Sequence, residues 1–137
     1  MSSTPDQPAR RAMTMREIRE GLGHVKPGQP EALVQITRYE VSVLPESDVN
    51  RSVFTINVEH RGNDRWAVVR HQQCMNAKGE WSWERVPSER EDEWLDEHRF
   101  NRMTALELAK WAAPRIVVNG LTAVDAYRRT HPATPAP

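Results

Sequence analysis

Every second residue from Tyr39 to Val43, and again from Phe54 to Val58, is apolar. A chain with that periodicity satisfies it by laying one face of a pleated strand against a core. In the first run Tyr39, Val41 and Val43 alternate with Glu40 and Ser42; in the second Phe54, Ile56 and Val58 alternate with Thr55 and Asn57. The polar segment from Pro45 to Arg51 has the length of a loop between neighbouring strands. A third strand is expected from Arg65 to Gln73 through Trp66, Val68 and Val69, entered by a turn at Arg61-Gly62-Asn63-Asp64. Asn76-Ala77-Lys78-Gly79 reads as a type I turn with Gly79 in the left-handed position, leading into a fourth strand from Glu80 to Val86.

A sheet of this kind must be covered, and the sequence after Pro87 carries the signals of the cover. Ser88 and Glu91 form a capping box for a helix bearing Trp94 and Leu95, and Thr104 and Glu107 form a second for a helix with Ala105, Leu108, Ala109 and Ala112 at helical spacing. Pro114 ends or kinks that helix. Beyond it, Asn119-Gly120 between apolar runs is a hairpin signal, whereas Thr122 ahead of Ala123, Val124, Ala126 and Tyr127 is a helix cap; the helix is preferred for 121–129. Thr14 likewise caps a short helix from Met15 to Leu22. The expected fold is α+β: an antiparallel four-stranded meander packed on one face by two or three C-terminal helices, with a short N-terminal helix. Residues 1–12 and 131–137 are expected to be disordered tails, 13–31 a short helix and linker, and 32–130 a single domain.

A length of 137 residues allows one hydrophobic core of ordinary size. No stretch of about 18 uncharged apolar residues is present, so no membrane span is expected. Arg10 and Arg11 precede a segment too charged to act as an export signal, and a single cysteine, Cys74, forms no internal disulfide; both favour the cytoplasm. The 19 basic and 19 acidic side chains cancel, so no global field draws the chain to nucleic acid or anionic lipid.

Local chemistry is therefore what remains to weigh. A structural zinc site needs four ligands and a catalytic one usually three; one cysteine, Cys74, with His71 and His60 scattered along neighbouring strands falls short, so no metal and no cofactor is expected. A Cys74 nucleophile would need a His within hydrogen-bond reach and a lowered thiol pKa. From Glu80 to Glu97 eight carboxylates face two arginines, a net charge of −6. Acids in a first helical turn have a local explanation in the helix dipole, but a negative surface also meets a basic partner or imitates a phosphate backbone. Basic residues gather instead at Arg10, Arg11, Arg16 and Arg19 and, after residue 98, where six basic side chains meet two acidic ones. Trp81 and Trp83 share one face of a strand, while Trp66, Trp94, Trp111 and one of that pair are expected in the core. No Walker loop, dinucleotide glycine pattern, nucleophile elbow or HExxH motif occurs.

These features favour a non-enzymatic module that binds a protein partner through Trp81, Trp83, Glu91, Asp92 and Asp96. The alternative is a small nucleic-acid-binding regulator that sets Arg16, Arg19, Arg128 and Arg129 against phosphates.

The stretch from Tyr39 to Tyr127, through Arg65-Trp66-Ala67-Val68, Glu91-Asp92-Glu93-Trp94-Leu95 and Val118-Asn119-Gly120, resembles small uncharacterised proteins of actinobacteria and their phages. That resemblance implies neither an activity nor a site residue.

Overall fold

The computed structural model describes residues 12–23 and 27–132, which divide into one unit reaching to Val34 and a second from Gln35 onward. Residues 1–11 and 133–137, most of the two expected tails, lie outside the described residues. In the first unit, helix α1 runs from Met15 to Leu22. The Thr14 hydroxyl accepts the Glu17 backbone N–H at 3.3 Å, and Gly23, at φ 86°, donates its own N–H to the Arg19 carbonyl at 2.9 Å. Orphan groups at both ends of the helix are thus satisfied, at the start by the Thr14 cap that the sequence marked and at the end by Gly23.

The second unit holds a five-stranded antiparallel sheet in simple sequential order: β1 (Arg38–Val41), β2 (Ile56–His60), β3 (Trp66–Arg70), β4 (Gln73–Met75) and β5 (Trp81–Trp83). The register sets Val58 opposite both Tyr39 and Val68, so the alternating apolar residues of three strands fall on one face. Phe54 lies just before β2 in a 3-10 turn (Arg51–Phe54) and is still buried.

The expected four strands become five because the third folds back on itself. His71 takes a left-handed φ of 57°, and the chain reverses through His71 and Gln72 so that Arg70 pairs with Gln73. His71 is not one of the residues that signal such a turn, which is why the segment reads as a single strand.

Packing on one face is also corrected: the sheet is covered on both. Ile56, Val58, Trp66, Val68 and Met75 pack against Ala105, Ala109 and Ala112 of α3 (Arg102–Ala112) and Ala123 and Ala126 of α4 (Ala123–Thr130). On the opposite face Ala67, Val69 and Cys74 pack under Trp94 and Leu95 of α2 (Asp92–His98). The run Trp66-Ala67-Val68-Val69 carries this information, because a strand buried on both sides is continuously apolar instead of alternating.

Helix starts shift for identifiable reasons. The Ser88 box does not open a helix: Pro87–Glu89 forms a 3-10 turn, and α2 begins after Glu91, which makes no side-chain cap bond. Helix α3 begins before the Thr104 box, at Arg102, since the Asn101 side chain accepts the Thr104 N–H at 2.8 Å and takes the capping role itself. Pro114 stands in a 3-10 turn (Ala113–Arg115) directly after α3.

At 117–130 both competing signals act in turn. Val117–Val118 (β6) pairs with Leu121–Thr122 (β7) around Asn119 and Gly120, at φ 50° and 80°, the left-handed pair a two-residue hairpin requires. Thr122 then caps α4, its hydroxyl accepting the Asp125 N–H at 3.0 Å.

Candidate functional site

Alternation along β5 sends Trp81 and Trp83 to one face and carries the next residue, Glu84, to the face shared with Cys74. Glu84 is held at the sheet edge by its backbone N–H, which donates to the Gln72 carbonyl at 3.0 Å. Three guanidiniums converge on its carboxylate. Arg61 Nη2 donates to both oxygens at 3.1 and 3.0 Å, Arg99 Nη2 reaches Oε1 at 3.0 Å, and Arg90 Nη2 lies 3.5 Å from the same oxygen. Arg61 also pairs with Glu59 at 3.2 Å.

Arg99 is the innermost member, with its side chain 2% exposed against 19% for Glu84. Burial pulls its guanidinium below the usual arginine range, and the Glu84 carboxylate opposes that shift. Its second amino group donates to the His98 carbonyl at 3.0 Å. Trp94 supplies the apolar floor. The His98 ring stacks on it at 4.3 Å between centroids, and the Arg99 and Arg90 guanidinium carbons lie 5.1 and 5.9 Å from its ring centre. His98 Nδ1 sits 2.7 Å from the Trp94 carbonyl, which only accepts, so Nδ1 carries a proton.

Two shallow clefts flank this network. One, of about 470 Å³, is bordered by Glu59, Arg61, His71, Trp83, Glu84 and Arg90. The other, of about 380 Å³, is lined by Arg61, Gly62, Asn63, Arg65, Arg90, Leu95 and Arg99.

The residues that the sequence singled out are distributed unevenly around these clefts. Trp83 is 68% exposed and borders the larger cleft, whereas Trp81 is half-buried and packs against the main core. Glu91, Asp92 and Asp96 are exposed, as are Glu93 and Glu97. None of these five side chains forms an ion pair among the described residues. The arginines nearest in sequence do not neutralise the acidic helix: Arg90 and Arg99 turn to Glu84, and Arg90 Nε donates to the Arg85 carbonyl at 2.7 Å.

Trp111 is a correction to the expected core. It is 46% exposed, with the Arg115 guanidinium 4.2 Å from its ring centre. Small alanines fill the buried side of α3, so the helix packs close to the sheet and leaves the bulky ring at its rim.

The expected nucleic-acid set is divided between the two units. Arg16 and Arg19 belong to the first unit and Arg128 and Arg129 to the second. The latter pair stands in the last turn of α4, where the helix dipole favours cations.

Cys74 lies fully buried under Trp94, and burial, reinforced by the Glu84 carboxylate, pushes its thiol up. A protonated thiol without solvent access is not a nucleophile. Among the described residues no group of three His, Cys, Asp or Glu side chains is placed to hold a metal ion, and no helix is long and apolar enough to cross a membrane.

Sequence reasoning missed the Glu84 network because its members lie far apart in the chain, at 61, 84, 90 and 99. Their meeting depends on the extra hairpin and on α2 covering the second face. No protein-family model, curated protein or solved structure matches the chain.

Proposed function

We propose that this protein is a non-enzymatic binding module that engages a basic protein partner through the carboxylates of α2 and the exposed indole of Trp83. The observation that carries this reading is the exposure of Glu91, Asp92, Glu93, Asp96 and Glu97, none of them in an ion pair among the described residues, beside a network whose arginines are directed elsewhere. A helix face with that density of exposed carboxylates raises the encounter rate with a cationic surface. Trp83 adds what charge alone lacks, since a large aromatic ring left in water gains from being covered by a partner. Trp81 packs against the core on the face covered by α3 and α4 and is not itself the anchor.

In this proposal the protein acts in the cytoplasm of an actinobacterium, as a host or phage product, in keeping with the resemblance of its sequence.

The test is reversal of Glu91, Asp92 and Asp96 to Lys, with the fold verified by circular dichroism, followed by affinity capture from an actinobacterial lysate. Proteins retained by the unaltered chain should be lost. Retention of every partner by the reversed variant contradicts the proposal.

A further inference from the structure

The smaller cleft lies beside the acidic helix but is lined by the opposite charge. Its lining holds four arginines, Arg61, Arg65, Arg90 and Arg99, around the turn Gly62-Asn63-Asp64. The turn is tightly built. The Arg61 N–H donates to the Arg65 carbonyl at 2.8 Å and the Arg65 N–H to the Gly62 carbonyl at 2.9 Å, while Gly62, Asn63 and Asp64 all take left-handed φ values of 84°, 51° and 56°. Since His60 pairs with Trp66, the next pair outward is Arg61 opposite Arg65. Residues paired across antiparallel strands share a face, and like charges so placed repel.

The carboxylates in contact do not balance this arrangement. Glu84 and Glu59 are the acids that pair with Arg61, Arg90 and Arg99, and Arg65 forms no ion pair among the described residues. Among the described residues two carboxylates contact the four guanidiniums of the cleft, and Asp64 of the turn lines a neighbouring cleft beside Trp66 and Arg102, so two positive charges have no matching carboxylate there. Arg99 is held immobile by burial, by Glu84 and by the His98 carbonyl, so part of this charge is organised in advance of any ligand.

We propose that the cleft between the Gly62–Asp64 turn and α2 binds a phosphate dianion, free or as the phosphomonoester of a small molecule. A dianion matches the surplus charge, guanidinium forks suit phosphate oxygens, and a space of about 380 Å³ lies in the range of small-molecule sites. Arg65 is the responsive member, since its free guanidinium must swing to close on the ligand. Arg61, Arg90 and Arg99 form the fixed wall.

Thermal unfolding of the full chain in inorganic phosphate, in methyl phosphate and in sodium chloride at equal ionic strength tests the assignment, with amide chemical shifts recorded alongside. Phosphate should raise the melting temperature saturably where chloride does not, and should move the amide signals of Gly62 and Asn63. Arg65→Gln, a change at an exposed position, should weaken the effect about tenfold, the loss of one charge-assisted contact. Methyl phosphate binding at least as well as phosphate assigns a phosphomonoester; binding of inorganic phosphate alone assigns the free anion. Equal behaviour in phosphate and chloride, or an Arg65→Gln variant that responds as the unaltered chain does, overturns the proposal.

Discussion

Arg99, almost wholly withdrawn from solvent, reaches Glu84 at 3.0 Å across the second face of the sheet and so ties the end of α2 to the edge strand β5. Removing one partner of such a pair leaves the other charge buried and uncompensated. Glu84→Gln is therefore expected to lower the unfolding free energy by about 2–3 kcal/mol, a little under the figure for a fully interior pair because the carboxylate keeps some contact with water. Glu59→Gln, which removes a more exposed partner of Arg61, should cost about 1 kcal/mol or less. Urea titrations of the two variants measure the difference directly.

Cys74 makes the alkaline limb of stability informative. Its pKa is raised in the fold, first by burial and then by Glu84, with Arg99, Arg61 and Arg90 opposing. A raised pKa means that the unfolded chain loses its proton first. Stability is then full below the unfolded thiol value of about 8.5 and declines as pH rises past it, until the folded thiol also ionises. Urea midpoints measured from neutral pH to pH 10 should fall for the unaltered protein, and this slope should be shallower in Cys74→Ala.

Gly79 combines two constraints in one residue. Its φ is 81°, and a Cβ built there would stand 2.9 Å from the Trp111 ring. Gly79→Ala should destabilise by about 1–2 kcal/mol through the backbone, with a further contribution from the ring. In a Trp111→Ala background the cost should shrink to the backbone part without vanishing, which a double-mutant cycle resolves.

The alanine face of α3 sets the spacing between helix and sheet. Ala105 and Ala109 are fully buried against the strands, so Ala109→Leu adds volume where none is free. A loss of about 1–3 kcal/mol is expected by thermal or urea unfolding. Leu at the exposed position of Lys110 should change stability by less than about 0.5 kcal/mol.

Much of the fold was legible because short-range signals agreed with long-range ones. Tyr39, Val41, Ile56 and Val58 alternate and are indeed cross-strand neighbours. Asn76 and Gly79 form the turn their types demand, with Asn76 Oδ1 accepting the Lys78 and Glu80 N–H groups at 2.9 and 3.0 Å. The hairpin at His71 was hidden because histidine, although it tolerates the left-handed region, is not one of the residues that mark a turn in sequence. Burial on the second face was hidden for a related reason: Ala67 and Val69 look like the off-phase residues of an alternating strand until Trp94 is placed over them.

The candidate site was legible only where it is local. Six consecutive residues from Glu91 to Asp96 announce an acidic helix in any window. Glu84 with Arg61, Arg90 and Arg99 requires the folded topology, since no spacing rule joins a hairpin turn, an edge strand and the two ends of a helix.

The proposed binding face is tested most directly by an amide and indole NMR titration of the intact protein with a Lys- and Arg-rich peptide at low and then raised salt. Shifts should concentrate on residues 91–97 and on the Trp83 indole N–H and weaken as salt screens the helix carboxylates. Shifts that are absent at low salt, or that centre on α4 and leave Trp83 unmoved, contradict the proposed face.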